Sequence, residues 1–137
     1  MSREETDAFL RETRVASLSS LGPRGQPVTI PVWFEWDGEV ARAFSSKGAA
    51  KVRRIKADPR VNLTAYEGAG LPEAWVSIEG MARLQDEGTG ELVKRLADRY
   101  YEAEHAARVK EEWLRGEANL VTIVITPERV RSYRAEW

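Results

Sequence analysis

Between Val15 and Phe44 the chain alternates short apolar runs with turn residues, and that pattern leaves few folds open. The apolar and small residues from Val15 to Leu21 suit a strand. Gly22-Pro23-Arg24-Gly25 is turn chemistry, because glycine reaches backbone angles closed to other residues and proline presets its own φ. Val28, Ile30, Val32 and Phe34 then recur at every second position, the spacing that lines one face of a strand. Asp37-Gly38 predicts a hairpin into a third strand, Glu39 to Phe44. Three strands within 30 residues predict an antiparallel meander.

The remaining sequence extends this pattern. Ser2 followed by Glu5 has capping-box spacing, and Phe9 with Leu10 gives the following turns an apolar side, so residues 2–13 read as a short helix. Val61, Leu63 and Ala65 alternate in a fourth strand that ends at Tyr66. Trp75 to Leu84 reads as a long fifth strand, with Val76 and Ile78 on one face and Trp75, Ser77 and Glu79 on the other. Gly80 is placed to allow a bulge. From Glu87 to Arg115 the period becomes helical, with Leu92, Leu96 and Tyr100 in one row and Val93, Ala97 and Tyr101 in the next, and Gly116 is a plausible stop. Leu120 to Ile125 is a β-branched run suited to a strand buried on both faces. Thr126-Pro127 punctuates it, and residues 130–134 read as a last short strand. The sum is a mainly β, single-domain chain of six or seven antiparallel strands, a short N-terminal helix, a short basic helix and one longer helical insertion. Closing such a sheet into a barrel removes its exposed edges.

Composition narrows the chemistry. With no cysteine among 137 residues, disulfides, thiolate nucleophiles and cysteine-held metals are excluded. The single histidine, His105, lies in a polar helical stretch and reads as a surface residue. No GxGxxG follows a strand, and there is no GxxxxGK[ST], HExxH, EF-hand loop or GxSxG elbow, so the doubly wound nucleotide folds, zincins and serine hydrolases lose sequence support. No apolar run approaches a membrane span and the charged N-terminus is unlike a signal peptide, so a cytoplasmic protein with no membrane partner is expected.

Charge is the feature that departs from the average. The net charge is −1, yet five of the ten residues from Lys47 to Lys56 are basic and none is acidic. Ser45, Ser46 and Gly48 read as a loop entering a short helix that stops before Asp58-Pro59, with Val52 and Ile55 facing the core. The first turn of a helix exposes unpaired N–H groups and favours acidic side chains, whereas this one carries Lys51. A cation beside hydroxyls and free N–H groups becomes favourable when an anion, typically phosphate, sits among them. The alternative is a solvated basic face on a surface helix. Nucleic acid is not expected as the partner: the aromatics are not interleaved with the basic residues, and the isoelectric point is about 6.0. Strict alternation puts Trp33 on the face opposite Val32 and Phe34. That face is then covered by a helix or a second subunit, or Trp33 or Trp75 lines a flat pocket for a planar ligand.

In order, PVWFEWDGE, then AFSSKGAAKVRRIKADPRVNLTAY, then WVSIEGMARL resembles the split β-barrel of the pyridoxamine 5′-phosphate oxidase-like superfamily. It is especially similar to its flavin- and deazaflavin-dependent oxidoreductases. Lys51 through Val61 is the most specific part, and the resemblance covers Val15 to Leu84. It implies a six- to seven-stranded antiparallel split β-barrel that binds FMN or F420 at a homodimer interface. The cofactor ring would lie along Pro31, Val32 and Trp33, near Trp75, and the phosphate would be held by Ser45, Ser46 and Lys51. Lys47 and Arg54, with Arg53 and Lys56, would form a basic track suited to the anionic tail of F420, which the reading slightly favours. The implied reaction is hydride transfer to a small organic acceptor, with no dedicated catalytic residue in the chain. The implied alternative is a non-catalytic module that holds flavin, F420 or haem. Pyridoxamine phosphate oxidases proper carry an arginine where this chain has Ala50, a lysine at about Glu35, and a longer C-terminal region with a substrate-binding arginine motif. Their namesake reaction is therefore not expected here.

Overall fold

The computed structural model describes residues 1–136. The capping box forms as its spacing predicts: the Ser2 hydroxyl accepts from the Glu5 N–H at 3.1 Å, and the Glu5 carboxylate accepts from the Ser2 N–H at 3.0 Å. The helix they start, α1 (Arg3–Arg11), buries Phe9 and Leu10. Strands β1 (Ala16–Leu21) and β2 (Pro27–Val32) follow as an antiparallel hairpin whose turn puts Gly25 at φ 78°. The third strand is shorter than its alternation suggests. It is β4 (Ala41–Ser46), paired with a two-residue β3 (Glu35–Trp36) that follows the end of β2 at Val32; it starts two residues later than expected because the turn between β3 and β4 occupies residues 37–40. There the Asp37 carboxylate accepts from the N–H groups of Glu39 and Val40 at 2.8 and 2.9 Å, with Gly38 at φ 99°.

The basic helix is α2 (Ala50–Ala57), with Val52 and Ile55 buried as expected. Strands β5 (Arg60–Tyr66) and β6 (Ala74–Gln85) come next. The helical insertion is two helices, α3 (Thr89–Tyr100) and α4 (Ala103–Leu114), and not the single helix its continuous period predicts. The chain breaks at Tyr101, whose backbone is extended at φ −124° and ψ 153°. Folding back lets Ala97 pack against Ala106 and Val109, and Lys110 reaches Asp98 at 2.6 Å. A 3₁₀ turn (Glu117–Asn119) leads into β7 (Leu120–Arg134). This strand unites the two that Thr126-Pro127 was expected to separate. Pro127 sits at a bulge opposite Gly80, where its missing N–H interrupts nothing. A side chain at Gly80 would meet the Thr126 carbonyl, so the register shift requires glycine.

The seven strands form one antiparallel sheet in the order β2-β1-β5-β6-β7-β4-β3. Its two edge strands, β2 and β3, are joined by Trp33 and Phe34 alone, so the sheet must curl until its edges nearly meet. The result is a split barrel. Alternate residues Leu18, Leu63, Val76, Ile78, Ile123 and Ile125 fill its interior, with Phe34, Phe9 and Leu10 packed against them.

Candidate functional site

Three elements meet where the edge strands cross. The Tyr100 hydroxyl donates to the Arg14 carbonyl at 2.6 Å and accepts from the Phe34 N–H at 3.2 Å, which fixes α3 to the crossover. Trp33 therefore lies under the helical hairpin, stacked on Tyr100 at 4.6 Å and 7°. Tyr101 meets Trp33 edge-on at 4.9 Å, and Trp113 of α4 packs on Phe44 at 5.4 Å. Of the two coverings open to Trp33, the chain's own helices supply one.

Beside this cluster lie two adjoining openings. The first, about 400 Å³, is lined by Val15, Pro31, Val32, Trp33 and Tyr101. The second, about 430 Å³, is lined by Ser45, Ser46, Glu112 and Asn119. Phe44, Trp113 and Lys51 line both. Lys51 thus bridges the strand expected to carry a ring and the serines expected to carry a phosphate, and Pro31, Val32, Trp33, Ser45 and Ser46 are brought together around it.

The electrostatics of α2 are unusual. No acidic residue lies in its first turn, Ala49 gives no side-chain cap, and the N–H groups of Ala50 and Lys51 have no acceptor among the described residues. None of its four cations, Lys51, Arg53, Arg54 and Lys56, forms an ion pair among the described residues, although ion pairs are frequent elsewhere. Burial, and then the nearby Arg54, hold the Lys51 amine below its ordinary pKa. Among the described residues Glu112 is the only carboxylate lining either opening, and it does not pair with Lys51. Ser45 is buried and donates to the Ser46 carbonyl at 3.1 Å, while Ser46 is exposed.

Other expected site residues lie apart. Lys47 is paired with Asp86 at 3.5 Å. Arg54 turns away from the serines, donating from Nε to the buried Ser20 hydroxyl at 2.8 Å, and with Arg53 it lines a separate groove beside the Gly22–Gln26 turn. Trp75 sits on the outward face of the sheet against Tyr133, in register with Tyr66. Glu35, never expected in the site and standing at about the position where pyridoxamine phosphate oxidases proper carry a lysine, is held by Arg95 through two bonds of 2.8 and 2.9 Å that tie β3 to α3. Tyr101 and Trp113 were missed as site residues. Their helical spacing marked them as part of one helix, and only the break between α3 and α4 turns both toward Lys51.

The fold is thus a curled seven-stranded split barrel, with a basic helix start beside an aromatic cleft. The chain belongs to the pyridoxamine 5′-phosphate oxidase family, whose model matches residues 2–134. No curated protein matches it. Among solved structures, an F420 reductase is 27% identical, with 91% of this chain and 94% of that one covered and a TM-score of 0.75. Protein Rv2991 of Mycobacterium tuberculosis is also 27% identical, with 98% and 85% covered and a TM-score of 0.76. An FAD-binding protein of Mesorhizobium loti shares the fold at 24% identity, with 100% and 96% covered and a TM-score of 0.71. No described helix is long and apolar enough to cross a membrane.

Proposed function

We propose that the chain is an oxidoreductase that binds F420 or FMN in the joined openings and passes a hydride between the cofactor and a small organic acceptor. The observation that carries this reading is the set of unpaired cations on α2, with Lys51 half-buried and short of a proton-stabilising partner. A phosphate there would meet the Lys51 amine, the Ser46 hydroxyl and the free N–H groups of Ala50 and Lys51, and would favour the amine's charged form. The ring would lie along Pro31, Val32 and Trp33, whose neighbours are aromatic and apolar. The bound cofactor supplies the redox chemistry, and the chain positions its partners and limits water. F420 is the favoured cofactor, because the F420 reductase is among the more similar structures.

A homodimer is part of the same reading. Val15, Tyr66 and Tyr133 are 44%, 47% and 46% exposed, and the last two flank Trp75 on an outward sheet face that carries no helix. A second copy against that face would bring Trp75 into a shared site and cover the first opening, whose rim is Val15. Turnover is tested by mixing reduced F420 or FMN with the protein and a panel of enones and quinones in a stopped-flow spectrometer. Acceptor-dependent oxidation is expected. Bound cofactor indifferent to every acceptor would leave a holding module and overturn the catalytic reading.

A further inference from the structure

Strand β7 loses one of its two neighbours partway along. Up to Ile125 it is paired with β4, and from Thr126 to Arg134 its only ladder partner is β6. The Ala135 N–H donates to the Glu73 carbonyl at 2.8 Å, so alternation turns the odd-numbered residues of this stretch toward β6. The N–H and C=O groups of Glu128, Val130, Ser132 and Arg134 therefore point the other way, where no backbone group among the described residues meets them. The side chains on this edge are bare as well. Val130 lies opposite the buried Ile78 and is itself 44% exposed.

Beside the free edge is a cavity of about 600 Å³, lined by Val130 and Ser132 of β7, Trp36 and Glu39 of the hairpin, and Leu10 and Arg3 of α1. None of these residues lines the openings at Lys51. The helix packs chiefly on β3 and β6, which leaves a gap between it and β7. Its two ends differ in charge. Arg3 starts α1, which a 3.2 Å bond from Arg134 to Glu5 holds at the far end of the edge, while Glu39 belongs to the turn where β4 stops. Neither forms an ion pair among the described residues.

The geometry points to a peptide-binding slot: an extended segment of about seven residues pairs antiparallel with residues 128–134 of β7, with apolar β-branched side chains at alternate positions, an acidic residue at its N-terminal end and a basic one at its C-terminal end. Only another extended backbone offers donors and acceptors at the repeat of an unpaired strand. At about 3.4 Å per residue the edge is about 20 Å long, which sets the segment's length. Residues opposite Val130 and Ser132 send their side chains into the cavity, against Leu10 and Trp36. Antiparallel pairing puts the segment's first residue beside Arg134 and Arg3 and its last beside Glu39, which fixes the order of charges.

The test titrates the protein calorimetrically with the blocked peptide Glu-Thr-Val-Thr-Val-Thr-Lys, the same peptide N-methylated at both valines, and the peptide with its two charged residues exchanged. Saturable binding of the first is expected. Methylation keeps the side chains and removes the two main-chain donors aimed at β7, and is expected to cost about tenfold; the exchanged peptide should also bind more weakly. Ser132→Pro removes an edge N–H without touching the β6 ladder and should weaken binding about threefold to tenfold. No saturable binding of the first peptide at millimolar concentration, equal binding of the methylated one, or indifference to the order of charges would each overturn the proposal. So would a fall in mass at sedimentation equilibrium when peptide is added, which would give the edge to a second copy.

Discussion

At Lys51 the chain tolerates a locally unfavourable arrangement. Burial and the neighbouring Arg54 both disfavour its charge, and no carboxylate among the described residues offsets them. The unfolded chain therefore holds this proton more firmly than the folded one, so between the lowered pKa and the ordinary lysine value of about 10.4 folding stability rises with pH. Lys51→Met removes the burdened charge and keeps the stem. It is expected to stabilise the cofactor-free protein by about 0.5–1 kcal/mol at neutral pH while weakening cofactor binding, as monitored by thermal melting with and without cofactor. A drop in the melting temperature of the empty protein would mean the amine already has a partner. The oddity of this residue was legible in the sequence as a helix start that lacks acid and carries a lysine. The directions of Arg54 and Lys47 were not legible: which side of a short helix or loop a flexible cation takes depends on where Ser20 and Asp86 lie in the fold.

At the scale of elements, local signals were legible wherever the backbone itself decides. Ser2 with Glu5, the Gly22–Gly25 turn and Asp37-Gly38 all form as their chemistry predicts. The Asp37 turn carries a pH signature. Burial pushes its carboxyl up, but bonds from the Val40 N–H, Arg42 and the Glu39 N–H outweigh it and bring the pKa down to about 2. A carboxyl lowered on folding gives stability that is present above its unfolded pKa of about 3.9 and lost as pH falls toward the folded value. Acid denaturation of Asp37→Asn should therefore lose part of its slope between about pH 4 and pH 2. The effect will be small because the side chain is 41% exposed, and an unchanged slope would deny the turn this role.

Two elements were illegible for tertiary reasons. The break at Tyr101 carries neither glycine nor proline and is set by the docking of Tyr100 on Arg14 and Phe34. Continuity of β7 through Pro127 depends on Gly80 across the ladder. Gly80→Ala is expected to lower stability by about 2–4 kcal/mol in urea unfolding, because its methyl would strike the Thr126 carbonyl. A loss below about 0.5 kcal/mol would show the bulge to be free to relax.

For the whole molecule, curling was implied once the two edge strands proved to be consecutive, and the split barrel expected from the resemblance agrees with it. What composition could not reveal is which outward face remains bare. The row Tyr66–Trp75–Tyr133 is bare, and in the homodimer reading a second copy covers it. Tyr66→Glu, placing a charge in that row, is expected to halve the mass found by sedimentation equilibrium without loss of secondary structure. A wild-type monomer at tens of micromolar would remove the shared site.

The central claim is that Lys51 awaits a phosphate-bearing cofactor in the cleft it bridges. Titration of the purified apoprotein with F420 and with FMN, followed by fluorescence, tests it most directly when wild type and Lys51→Ala are run together. Saturable binding of at least one cofactor is expected, weakened in the variant by about 1.5–3 kcal/mol, the value of a charge-assisted hydrogen bond. Equal affinity in the two proteins, or no binding of either cofactor to wild type, would contradict it.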